Sequence, residues 1–406
     1  MSRWLTFVAI VALLASGTGC SEDCATCLPD NTAPTQSFVG SQTCGTTGCH
    51  PNTYEMFIES GHPFKLTEVP GDQGPTYPWD SEHTTGAIVS RDGPPAGSNW
   101  TDYSYVIGGY GWKARFVLPN GMVDTDSIAG RRTQLNLWAN GPEWVPYHPG
   151  EVKPYNQGCF KCHTTGASTE GSWPEGTTGF GTFAFGGVQC EECHGRGSQH
   201  VTDPARFDMV VDTSPALCGR CHTRDPQNRV LVSGGYIRHH EQYDELVHSP
   251  HAAIGCSGCH DPHASVVYDE LAKGNGVTTD CTSCHTGYTA TPHLTGPTCT
   301  DCHMPKAAKS ARVTDNPYVA DITSHTFMIN PAAVDKSAMW TSDGKFLKVD
   351  EFGRGRVTLD FACYSGHKAD ATNPTNPTAP YSYKSLAELS AKAMQMHPAP
   401  PKVARQ

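Results

Sequence analysis

Cys159-Phe-Lys-Cys162-His163 opens a stretch that closes at Cys299-Thr-Asp-Cys302-His303, and within its 145 residues Cys-x-x-Cys-His occurs six times. The copies between are Cys190-Glu-Glu-Cys193-His194, Cys218-Gly-Arg-Cys221-His222, Cys256-Ser-Gly-Cys259-His260 and Cys281-Thr-Ser-Cys284-His285. Random placement of 18 Cys and 20 His in 406 residues would yield about 0.04 such patterns. The spacing has a chemical reason. Two thiols one helical turn apart can each add to a vinyl group of the same porphyrin, and the next residue brings its imidazole to the iron from one face. Zinc is the competing reading of paired Cys-x-x-Cys, but zinc sites set the His several residues away from the cysteine pair. Each copy is read as a covalent haem c site with a proximal histidine.

Outside this block the same logic recurs twice. Cys44-Gly-Thr-Thr-Gly-Cys49-His50 has four residues between its thiols, and its Gly-containing loop can still bring both sulfurs to the vinyl groups. Cys363-Tyr-Ser-Gly366-His367 lacks the second thiol. Either Cys363 holds a haem through a single thioether with His367 on the iron, or the site is lost and the thiol is spare. Seven haems c are expected, and an eighth if that last motif is loaded.

Eight of the 20 histidines belong to motifs when His367 is counted, which leaves 12. Six-coordinate iron with two imidazoles would commit most of them. The distal candidates are His62, His200 six residues after His194, His263 three after His260, His239, His240, His248 and His251 ahead of the fourth copy of the block, His293 and His325. His397, at the end of a C-terminal helix, is a further one. His83 and His148 read as ordinary loop histidines, and Met328 ranks below His325. Iron with both faces occupied has no vacant position for a substrate, so it suits outer-sphere electron transfer; catalysis would need one open face. No Cys-x-x-Cys-Lys occurs, and Gly366 marks the one irregular motif.

Only 37% of the chain is hydrophobic, so porphyrins would supply much of the interior, wrapped in loops rich in its 41 Gly and 31 Pro. The expected class is mostly α, with extensive irregular loops around a covalent haem chain. A small β-containing insert is expected near residues 100–126. There Tyr103, Tyr105 and Ile107 alternate, and Arg115–Leu118 and Met122–Thr125 flank a Pro119-Asn120-Gly121 turn. This insert would cover the first haem. A short helix is expected over Tyr54–Ser60, and another from Ser385, where Glu388 completes a capping box. A formal charge of −11 argues against nucleic acid as a partner.

Residues 1–19 read as an export signal, with Arg3 ahead of an apolar run too short to span a bilayer. Cys20 would be a lipid-attachment site, the alternative being an ordinary cleaved signal. Residues 20–43 form a tether, in which Cys24 and Cys27 suit a local disulfide. Residues 44–158 carry the first haem site and the insert, 159–303 the six-haem core, and 304–406 a wrapper with the degenerate motif and the last helix.

The stretches CHGRGSQH (193–200), HHEQYDEL (239–246), CHDPH (259–263), CHTTG (162–166), SHTFMI (324–329) and the closing TLDFACYSGH resemble the superfamily of tetrahaem cytochromes and octahaem hydroxylamine oxidoreductases. The resemblance covers about residues 40–400. It implies His200, His251, His263 and His325 as distal ligands, and closely packed haems in stacked and perpendicular pairs. Its functional implication is an exported, lipid-anchored electron carrier, periplasmic or on the outer membrane, serving redox partner proteins or extracellular acceptors. The alternatives are an oxidoreductase acting on nitrite, hydroxylamine or a similar nitrogen or sulfur compound at one open haem, and a subunit of a polymeric cytochrome filament. Contact with a membrane would run through the lipid alone.

Overall fold

The computed structural model describes residues 36–79, 85–125, 130–137, 141–268, 271–286, 288, 297–367, 383–393 and 395–396. Cys20, Cys24, Cys27, His83, His293 and His397 lie outside the described residues. From Ser37 onward the chain forms one unit, in which short helices and three sheets are joined by long irregular segments.

The first sheet is larger than the expected insert. It is antiparallel throughout, in the order β1 (Leu66–Glu68), β2 (Tyr105–Gly108), β3 (Lys113–Val117), β4 (Gln134–Asn136) and β5 (Glu143–Val145). The Pro119–Gly121 turn forms as expected, with Gly121 at φ 79° and the Leu118 N–H donating to the Met122 carbonyl at 2.8 Å. Both faces of β2 are covered. Val106 is fully buried with Ala114, Phe116 and Leu135, while Tyr105 and Ile107 pack on the opposite side with Leu66, Val117, Tyr155 and Phe160. Phe160 belongs to the helix Gln157–His163. The sheet therefore seats the motif at Cys159–His163, where the sequence suggested a cover for the first haem.

A two-stranded ribbon follows, β6 (Thr164–Thr165) with β7 (Phe185–Gly186). A second sheet, which no alternation or turn signal announces, lies beyond it in the order β11 (Ala320–Ile322), β10 (Ala308–Val313), β9 (Tyr236–Arg238), β8 (Val232–Ser233). β8 and β9 are a hairpin, and β10 joins β9 in parallel, pairing Ala308 with Ile237 and Lys309 with Arg238. Ile237, Ala308, Val357 and Phe361 are buried in its core, which brings the 359–363 helix onto the sheet. The fold is thus a mixture of helix, sheet and loop, not a mostly α one.

The expected helix near 54–60 runs from Pro51 to Phe57, because Pro51 sits at the first helical position, where its missing N–H costs nothing. The last helix, Leu386–Ala393, has the expected capping box: the Ser385 N–H donates to Glu388 Oε2 at 2.8 Å and the Glu388 N–H donates to Ser385 Oγ at 3.3 Å. Leu389 packs it on Leu359 and Tyr364.

The segment before the first motif is fastened by Glu191, inside the third motif. Its carboxylate is 2% exposed and accepts the N–H groups of Val39, Gly40 and Gly197 at 2.7–3.0 Å. Hydrogen bonds from several backbone donors to one buried carboxylate are strong, and removing the acceptor leaves the donors unsatisfied. Glu191→Ala is expected to destabilise the protein by about 3 kcal/mol and to open residues 37–44 to protease, read by denaturant titration and limited proteolysis.

Candidate haem-ligation site

Each motif is shaped by one local bond. The histidine N–H donates to the carbonyl of the first cysteine in His222–Cys218 (3.0 Å), His260–Cys256 (3.0 Å) and His285–Cys281 (2.8 Å). The longer first motif joins the same two groups, His50 to Cys44 at 3.0 Å, through a ring two residues larger. The degenerate motif keeps the usual ring, His367 to Cys363 at 2.7 Å, and the Gly366 N–H donates to Cys363 at 3.1 Å just as the Cys221 N–H does to Cys218. The turn therefore survives where the second thiol does not.

Histidine rings provide the test of whether this donor set fits haem. An iron–imidazole bond of about 2 Å on each side, plus about 1 Å from nitrogen to ring centre, asks for ring centres about 6 Å apart. Five motif histidines face a non-motif histidine at that spacing: His50 with His200 (6.4 Å), His194 with His263 (6.1 Å), His222 with His62 (6.5 Å), His260 with His325 (6.2 Å) and His285 with His251 (5.9 Å). The first two pairs are near parallel, at 12° and 6°. His240 also approaches His222, at 6.3 Å. The residues fit a bis-imidazole iron in each case.

Outer partners orient several of these rings. Nδ1 pairs with a backbone carbonyl in His194 (Val210, 2.6 Å), His200 (Phe207, 2.6 Å), His260 (Gly276, 3.1 Å) and His303 (Phe327, 2.8 Å), which leaves Nε2 for a metal. His263 Nδ1 pairs with Asp261 at 2.9 Å. Burial holds His62 down at about 3 and His325 at about 4, so both are neutral and able to ligate at physiological pH. Glu245, fully buried, accepts from Ser324 Oγ and from the His325 N–H and so fixes the loop that presents His325. Burial pushes its carboxyl up to about 7.

Two candidates are engaged elsewhere. His248 uses both ring nitrogens, Nδ1 toward the Gly353 carbonyl (2.6 Å) and Nε2 toward the Asn228 carbonyl (2.9 Å), which leaves none for iron. His239 Nε2 accepts from Arg224 Nη2 at 2.8 Å. His163 has no second histidine ring facing it among the described residues; Tyr155 stands edge-on to it at 6.2 Å.

The spacer residues of the motifs, to which the sequence assigned no role, lace neighbouring motifs together. Cys162 Sγ lies 3.9 Å from the Arg220 carbonyl and Cys221 Sγ 3.4 Å from the Lys161 carbonyl, so the motifs at His163 and His222 cross reciprocally. Arg220 also pairs with Glu192 at 2.7 Å, tying in the motif at His194. Thiol contacts join Cys44 with Cys190 and Cys218 with Cys256. The hydrogen bond from Cys44 draws the Cys190 thiol down. Cys363, its thiol pushed up to about 12 by burial, lies within electrostatic reach of Cys302.

Comparison with known proteins agrees with this geometry. Residues 145–195 match the family described as cytochrome c554 and c-prime, and residues 248–290 match the doubled CXXCH motif. The multiheme cytochrome MtrA of Shewanella baltica is 30% identical over 135 residues, which span 29% of this chain and 36% of that protein. Two solved structures share the fold. Outer cell wall cytochrome OcwA has TM-score 0.50 and 18% identity, over 88% of this chain and 86% of that one. Octaheme sulfite reductase MccA of Wolinella succinogenes has TM-score 0.58 and 17% identity, over 89% and 71%.

Removing one distal ring should free one iron face. His263→Ala is expected to convert one haem from low-spin to high-spin ferric in the EPR spectrum, whereas His248→Ala should leave every haem low-spin.

Proposed function

We propose that this chain, a multihaem c-type cytochrome, carries electrons through the cell envelope as a relay of bis-imidazole haems, receiving them from one redox partner and passing them to another or to an extracellular acceptor. The carrying observation is the set of five motif histidines, each facing a second histidine across a gap of iron-ligand width. When bound, the haem irons supply the one-electron steps. The protein's part is to close both axial positions, so that an incoming electron changes no ligand, and to tie neighbouring motifs together, as Arg220 does with Glu192. The proximal set is His50, His163, His194, His222, His260, His285 and His303. The distal set is His62, His200, His251, His263 and His325, with His240 beside His222. Seven haems c belong to the seven complete motifs, and Cys363–His367 is the place for an eighth.

Exported location and a lipid on Cys20 complete the reading. No helix among the described residues is long and apolar enough to cross a membrane.

A second reading, an oxidoreductase acting at one haem, is favoured by His163, which has no facing histidine among the described residues and has Tyr155 beside it instead. An iron left open there could take a small nitrogen or sulfur compound. Intact mass and EPR of the purified protein decide between them. The carrier reading expects covalent haem at every complete motif, low-spin ferric signals throughout and no response to nitrite, sulfite or hydroxylamine. A stoichiometric high-spin haem that binds one of them would move the assignment to the enzyme.

A further inference from the structure

The motif at Cys218–His222 differs from its neighbours in what stands behind its imidazole. Behind His194, His260 and His303 the partner of Nδ1 is a backbone carbonyl, of Val210, Gly276 and Phe327. Behind His222 it is a side chain, Gln242, whose Oε1 lies 3.4 Å from Nδ1. With Nε2 turned to an iron, Nδ1 carries the proton and donates, so the amide must present its oxygen. A main-chain carbonyl is held in place by the fold, whereas a side-chain acceptor depends on the identity of one residue.

Gln242 opens the helix Gln242–Val247, and each of the next three residues ties that helix down. The Tyr243 N–H donates to the His222 carbonyl at 3.1 Å. The Tyr243 ring presses on the motif itself, since a Cβ on Gly219 would stand 2.9 Å from it. Asp244 accepts at 2.9 Å from the hydroxyl of Thr223, the residue after His222. Glu245 accepts from Ser324 Oγ at 2.6 Å, which turns it toward the loop of His325, the ring that faces His260. The chain enters this helix through His240 at φ 68°, a left-handed conformation that a residue other than glycine holds only where its surroundings fix it. Gln242 is therefore carried to the back of His222 by a helix anchored through its neighbours, and its own side chain is not needed to hold the helix there.

We infer that Gln242 is a positioning residue for the haem of His222, aligning the imidazole and setting the potential of that one step through the hydrogen bond from Nδ1. The inference rests on the reading that Cys218–His222 carries haem. An acceptor on Nδ1–H makes the imidazole a stronger donor, which favours the more positive, ferric iron and lowers the midpoint potential. The position matters to a relay, because this motif has neighbours on two sides. Cys221 Sγ lies 3.4 Å from the Lys161 carbonyl, and Arg220 pairs with Glu192 at 2.7 Å.

The test uses the haem-loaded protein, with haem on Cys218 and Cys221 first established by peptide mass. Its absence there would defeat the haem reading, and the inference with it, whereas unmoved potentials at full haem content defeat the inference alone. Spectroelectrochemical titration reads the midpoints. Gln242→Met, unbranched and without a strong acceptor, is expected to raise the midpoint of one haem. At a fixed potential the reduced-to-oxidised ratio of that haem should change about threefold, which is about 30 mV for one electron, with the other haems unmoved. Gln242→Glu, which keeps the acceptor, is expected to hold that midpoint at or below the value of the unaltered protein. Should Gln242→Met fail to mature, Gln242→Leu takes its place. Unchanged midpoints in the variant without an acceptor, or an equal rise in Gln242→Glu, overturn the inference.

Discussion

The structure depends on one backbone hydrogen bond repeated along the chain, from the N–H of each motif histidine to the carbonyl of the first cysteine. It fixes the distance between two thiols and an imidazole by closing a single turn, and it needs no support from a long helix or a continuous core. That economy suits a chain with few hydrophobic residues. Motifs can be set anywhere a loop allows, and their order in space is then decided by side chains that reach from one motif to the next.

Those reaching side chains sit mostly inside the motifs themselves. Glu191, Glu192, Lys161 and Arg220 occupy spacer positions whose identity is free as far as attachment chemistry is concerned. Here that freedom is spent on neighbour recognition: Glu191 gathers the approach to the first motif, Arg220 bridges to Glu192, and the crossing of Cys162 with Cys221 is reciprocal. Motifs whose contact points lie between their own cysteines leave little room for one to shift without its neighbour.

The motifs were legible because the chemistry they suit demands a fixed spacing, and spacing is what a sequence displays. The histidines that face one another were legible as a set, since so many in one chain call for a use. Their pairing was not, because His50 meets His200 and His260 meets His325 across long separations that only the folded loops define. His248 could not be told from its neighbours for the same reason: the Gly353 and Asn228 carbonyls that occupy its ring are distant in sequence. The first sheet announced itself through alternation and a Pro-Asn-Gly turn. The second did not, since β8 and β9 have only two and three residues and β10 reaches them in parallel from about seventy residues further on.

The clamp at Glu191 bears on the order in which such a protein can be assembled. A chain made from its N-terminus presents Cys44 and Cys49 long before residue 191, and until Glu191 follows the N–H groups of Val39 and Gly40 lack the carboxylate that accepts them. The segment closes only when the third motif is present to receive it, so the approach to the first motif is among the last parts of the fold to be fastened.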